Sequence, residues 1–157
     1  MATGRCSSFG RNGGRLFLMA ALAMGLGAAP ANQLNPAAIS ITLPKDIKWV
    51  DNPSGSRQAV LVGDPSKPGL YVVLTQWTPH HMSRPHFHEH DRYITVLSGT
   101  WWVGTGTKYV PNSTVPVPAG SYVHHFGKQV HYDGAKDELV TLEIVGEGPA
   151  TSVPAEK

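Results

Sequence analysis

The feature that most limits the folds open to this chain is that, from Ile39 to Val145, no long stretch carries apolar residues at helical spacing. Short runs rich in β-branched and aromatic residues take its place: Ile39 to Leu43, Ile47 to Val50, Ala59 to Val62, Leu70 to Trp77, Tyr93 to Leu97, Thr100 to Val103, Val115 to Val117, Tyr122 to Phe126 and Leu139 to Val145. Between them stand Asp51-Asn52-Pro53-Ser54-Gly55, Gly63-Asp64-Pro65-Ser66, Ser98-Gly99 and Pro118-Ala119-Gly120, whose backbone preferences turn the chain. Many short strands at this spacing predict an all-β domain, a sandwich or a closed barrel, the two common ways such a chain hides its edges. Gly104 to Ser113 is the least strand-like internal stretch and is expected to form a long loop between two halves of a barrel.

The first thirty-odd residues are of another kind. Arg5, Arg11 and Arg15 give a positive start, Leu16 to Ala29 is apolar and small, and Ala29-Pro30-Ala31 offers an A-x-A cleavage site before Asn32. The run is broken by Gly25 and Gly27 and is too short to span a bilayer comfortably. Residues 1–31 are therefore expected to be a signal peptide and residues 32–157 a single exported domain, secreted or periplasmic. Removing 31 of the 157 residues leaves 126, the size of one domain with one core. Of 13 Lys+Arg, three leave with the signal, so ten basic residues face eleven acidic ones and the mature chain is near neutral. That balance speaks against nucleic acid or a membrane surface as a partner. The one cysteine, Cys6, also leaves, so the mature chain has no thiol for a disulfide, a ligand or a nucleophile.

All eight histidines fall between His80 and His131. His86 and His88 are separated by one residue in a strand-like context, which points both imidazoles to one face. Two such rings are half of a metal site, suited to Zn, Cu, Fe or Ni, and need a third group from elsewhere in the fold.

At this point the sequence resembles the cupins, whose barrel is also described as a double-stranded β-helix or jelly roll. Their first motif runs glycine, five residues, His-x-His, three or four residues, glutamate, six residues, glycine. Pro79 to His88 has that leading shape with His80 at the glycine position, and Gly99 closes it. The glutamate position holds Arg92, the main departure. The second motif runs glycine, five residues, Pro-x-Gly, two residues, His, three residues, Asn. Counted from Gly120 it puts Phe126 at the proline, His131 at the ligand and Ala135 at the asparagine. A competing register sets Pro118-Ala119-Gly120 on Pro-x-Gly and the ligand position on Val123, beside His124; the first gives a real histidine and is preferred.

The resemblance covers about residues 70–145 and implies His86, His88 and His131 as ligands of a divalent metal, with positions open for water, dioxygen or a substrate oxygen. Iron, zinc, manganese, copper and nickel are not distinguished by imidazole ligands. A guanidinium cannot ligate. Pointed inward, Arg92 would pair with an anionic substrate or with a carboxylate such as Asp91 or Glu143; pointed outward, it is surface charge. His125 is a fourth ligand, a base near the metal or part of the barrel wall, and His124 must face the other way. His80, His81 and His90 read as loop or rim residues. Glu143 and Asp133 are candidates to orient a ligating imidazole. Trp101 and Trp102 face opposite sides of one strand, so one is expected inside and the other to pack under a loop or against a second copy of the chain in a homodimer.

Three functions follow as alternatives: a metal-dependent enzyme, of dioxygenase, isomerase or lyase type, acting on a small and perhaps anionic metabolite with Arg92, His125 and Glu143 as candidate catalytic groups; a non-catalytic module binding or sensing a small molecule; and an oligomer-forming role. No serine-histidine-aspartate elbow, phosphate-cradling glycine loop or paired-carboxylate signature is present to support other chemistries.

Overall fold

A computed structural model describes residues 34–157; the expected signal peptide lies outside the described residues. The chain divides after Ile39. Before that point the described residues form one turn, in which the amides of Ala38 and Ile39 donate to the Asn35 carbonyl at 3.0 and 3.1 Å.

From Ser40 onward, eleven strands are present among the described residues: β1 (Val50–Asp51), β2 (Ser56–Val62), β3 (Gly69–Trp77), β4 (His86–Phe87), β5 (Arg92–Ser98), β6 (Thr100–Thr105), β7 (Val115–Pro118), β8 (Tyr122–His125), β9 (His131–Gly134), β10 (Val140–Gly148) and β11 (Val153–Pro154). They form two antiparallel sheets, one in the order β1-β2-β3-β10-β5-β8, the other β11-β4-β9-β6-β7. The two longest strands, β3 and β10, pair over their whole length from Gly69 opposite Gly148 to Trp77 opposite Val140. Their alternation decides which face is buried. Val140, Leu142 and Ile144 of β10 join Tyr71, Val73 and Trp77 of β3, Ile94 and Val96 of β5, and Trp101 of β6 in one core. Taking each of these larger side chains out of water stabilises the fold by roughly 1.5–3 kcal/mol.

The chain passes between the sheets at two glycines with left-handed backbone. Gly99 (φ 74°) turns β5 into β6, and a Cβ there would press on the Leu139 carbonyl. Gly120 (φ 87°) turns β7 into β8, its amide donating to the Val96 carbonyl at 2.8 Å. Only glycine takes this conformation without strain.

Three expectations need correction. Ile39 to Leu43 forms no strand; Ile41 and Leu43 are exposed with no neighbouring strand to pair with, and Pro44–Asp46 continue as a 3-10 turn. The loop expected over Gly104 to Ser113 starts later, because Gly104 and Thr105 still pair with Tyr132 and His131. And the last strand, expected to end at Val145, runs on: β10 reaches Gly148, and β11 returns to pair with β4. Among the described residues no helix is long and apolar enough to cross a membrane.

Candidate metal centre

The short strand β4 is placed between β9 and β11, with His86 directly opposite His131. His88 follows β4 by one residue. The rings of His86, His88 and His131 consequently meet, with centroids 4.8 Å apart for His86 and His88, 4.6 Å for His86 and His131, and 5.1 Å for His88 and His131. One nitrogen of each lies within 4.8 Å of the others.

The other nitrogen of each ring is anchored on the backbone. Nδ1 of His86 donates to the Arg84 carbonyl at 2.8 Å, Nδ1 of His88 to the Thr151 carbonyl at 2.5 Å, and Nδ1 of His131 to the Gln129 carbonyl at 3.0 Å. A carbonyl can only accept, so each Nδ1 carries a proton, and in the neutral ring the lone pair then belongs to Nε2. Burial keeps His88 and His131 neutral. It pulls His88 down to about 3, helped by the nearby Arg92 charge, and lowers His131 as well, against the partial opposition of Asp133. Because His131 is then neutral, its 3.9 Å approach to Asp133 Oδ2 is not an ion pair.

The donor set fits a divalent metal. Three imidazoles turn one nitrogen each into one space, and Nε2 of His131 is buried with no hydrogen-bond partner. A backbone carbonyl on the far nitrogen is one of the usual ways a ligating histidine is held. Zinc, copper, iron and nickel all accept such nitrogens.

Arg92 points inward, on the same face of β5 as the buried Ile94 and Val96. Neither expected carboxylate meets it. Asp91 instead accepts from the Gly127 amide at 2.7 Å and from His124 Nε2 at 2.8 Å, two contacts that hold its carboxyl below the ordinary range. Glu143 lies on the face of β10 opposite Val140, Leu142 and Ile144, away from the core and the imidazoles. Arg92 Nη1 donates to Nε2 of His88 at 3.0 Å.

Asp133 is buried near His131, but at Nε2 and not at the anchored Nδ1; Trp101 Nε1 donates to its Oδ1 at 3.2 Å. Neither candidate carboxylate therefore orients an imidazole, a task that falls to the carbonyls of Arg84, Gln129 and Thr151. His125 faces inward opposite Arg92 in the β5–β8 register, stacks on His131 at 3.9 Å, and leaves Nε2 buried without a partner. Burial, then the neighbouring His131, lowers it to about 2. A second group of liganding atoms, from His125, His131 and Asp133, thus shares His131 with the first. His124 turns the other way, between Tyr93 and Phe126. Trp102, on the face opposite Trp101, is half-buried under Lys136, whose Nζ sits 3.6 Å from the ring centre.

Beside the imidazoles opens a cavity of about 620 Å³, lined by His86, His88 and Arg92 together with residues of β2, β3 and the C-terminal segment.

No protein-family model and no curated protein matches the chain. Solved structures do. The polyketide cyclase RemF from Streptomyces resistomycificus is similar over 76% of this chain and 87% of its own, with 17% identity and a TM-score of 0.62. A conserved protein with a double-stranded β-helix domain from Klebsiella pneumoniae matches over 69% and 90%, with 22% identity and a TM-score of 0.54. KdgF from Halomonas sp. matches over 69% and 94%, with 16% identity and a TM-score of 0.54. RmlC-like and cupin-2 domain proteins are among the further matches. With two antiparallel sheets closed around one core and these neighbours, the chain has the cupin fold, a double-stranded β-helix.

Proposed function

We propose that this chain is an exported metal-dependent enzyme that holds a divalent ion on Nε2 of His86, His88 and His131 and acts on a small metabolite in the adjoining cavity. One observation carries this: three imidazoles from two distant segments turn their Nε2 atoms toward one another while three carbonyls hold their Nδ1 protons. When bound, the ion would supply Lewis acidity toward a substrate oxygen or a place for dioxygen. The protein's own part is to keep His88 and His131 neutral by burial, to anchor all three Nδ1 protons, and to set a cation, Arg92, in the wall of the cavity. The similarity in fold to a polyketide cyclase supports an enzyme of dioxygenase, isomerase or lyase type without choosing among them. The arginine-rich, apolar start of the chain supports export.

A second reading, a ligand-binding module without turnover, is favoured by the bond from Arg92 to His88 in place of the expected glutamate. Metal-loaded protein that binds metabolites yet converts none of a broad panel would select it.

The first test is to recover the protein from its own compartment, read its N-terminus and measure bound metal, alone and with His86→Ala and His131→Ala. A chain beginning at Asn32, carrying close to one ion that either substitution removes, is expected. Unchanged metal content in both variants would remove the site.

A further inference from the structure

One contact in the cluster is incompatible with a metal on all three imidazoles. Nε2 of a neutral His88 offers a single lone pair, and that pair accepts from Arg92. A guanidinium and a metal ion are therefore alternatives at this atom.

The charge of Arg92 is otherwise unanswered. Among the described residues no carboxylate pairs with it. The cavity it lines contains two arginines and neither aspartate nor glutamate. Its second cation, Arg84, is already held by both oxygens of Glu156 and lies over the Tyr109 ring. One free guanidinium matches a singly charged carboxylate, which it can grip through two parallel N–H bonds. A phosphate dianion would want a second free cation. The same cavity is lined by Asn52, Ser54, Ser56 and Gln58, which suit hydroxyl groups on the remainder of the ligand.

We propose that Arg92 takes two positions and so couples ligand to metal: in the empty cavity it caps Nε2 of His88, and a small hydroxylated carboxylate entering the cavity takes the guanidinium and frees His88 for the ion. This rests on the three-imidazole reading above. The coupling is reciprocal by thermodynamic linkage, so the carboxylate raises metal affinity by the factor by which metal raises carboxylate affinity.

The test measures zinc affinity by competition with a chromophoric chelator for wild type, Arg92→Gln and Arg92→Met, in sodium chloride and in sodium acetate of equal ionic strength. Arg92→Met keeps most of the apolar stem should the glutamine variant fold poorly. In chloride both variants are expected to bind zinc about tenfold more tightly than wild type, the worth of one hydrogen bond to a charged group. Acetate is expected to narrow that gap several-fold by drawing Arg92 off His88 in wild type alone; zinc that acetate itself complexes affects all three proteins alike. Equal affinities in chloride, or a gap that acetate leaves unchanged, would overturn the coupling while the metal site stands. Failure of all three proteins to bind zinc would bring down the site together with the coupling.

Discussion

Asp133 is the residue whose surroundings say most about how the cluster is supported. It is buried, its Oδ1 takes the indole N–H of Trp101, and its Oδ2 approaches His131. Trp101→Phe keeps most of the ring that packs on His125 and removes the donor, leaving one oxygen of a buried carboxylate without its partner. A loss of about 1–3 kcal/mol in urea unfolding is expected, the usual desolvation penalty of an orphaned buried group, with zinc affinity changed less than threefold because no Nδ1 anchor is touched. A stable variant would show that the indole bond is not what makes the buried Asp133 tolerable. The imidazoles that converge stand out in the sequence because their side chains carry the chemistry. What holds them does not, since Arg84, Gln129 and Thr151 act through carbonyls that every residue possesses. Arg92 was legible as a departure, but its direction was not: the turn after His88 hid the strand phase.

At the scale of elements, the strands that could be read were those with β-branched runs, above all β3, β5 and β10. The site depends equally on β4, β9 and β11, of two, four and two residues, and these are too short or too polar to announce themselves. His-Tyr-Asp-Gly reads as a turn; it is a strand because β6 lies beside it and the Tyr132 ring fills the space over Gly104, where any Cβ would collide with it. The C-terminal segment matters in the same way. Thr151 holds His88 by its carbonyl and takes the Glu89 amide on its hydroxyl at 3.1 Å, while β11 covers β4. A chain ending at Gly148 is expected to keep the β-sheet circular dichroism of the larger sheet and to lose at least about tenfold in zinc affinity, the low end for removing an anchoring group behind a ligand. Undiminished affinity would show that His88 needs no such anchor.

For the whole molecule, keeping several imidazoles uncharged has a thermodynamic consequence. His88 and His125 titrate near 3 and 2 when folded, far below the 6.5 of an unfolded histidine. Above 6.5 neither state takes up the proton, and the contribution to stability is complete. Below it the unfolded chain binds protons that the folded one refuses, so stability falls with pH, by up to about 1.4 kcal/mol per pH unit per histidine. Metal-stripped protein is thus expected to melt at progressively lower temperature from about pH 6 downward, and His125→Phe to flatten that slope. A melting temperature constant between pH 7 and 5 would contradict the burial of neutral rings. The smaller sheet carries a further consequence at its margins. Its outermost strands are β7, with Pro116 and Pro118, and β11, with Pro154. Proline has no amide hydrogen to offer an incoming strand, so neither border can be lengthened by a neighbour laid alongside. This guards the smaller sheet against running edge to edge into fibrils.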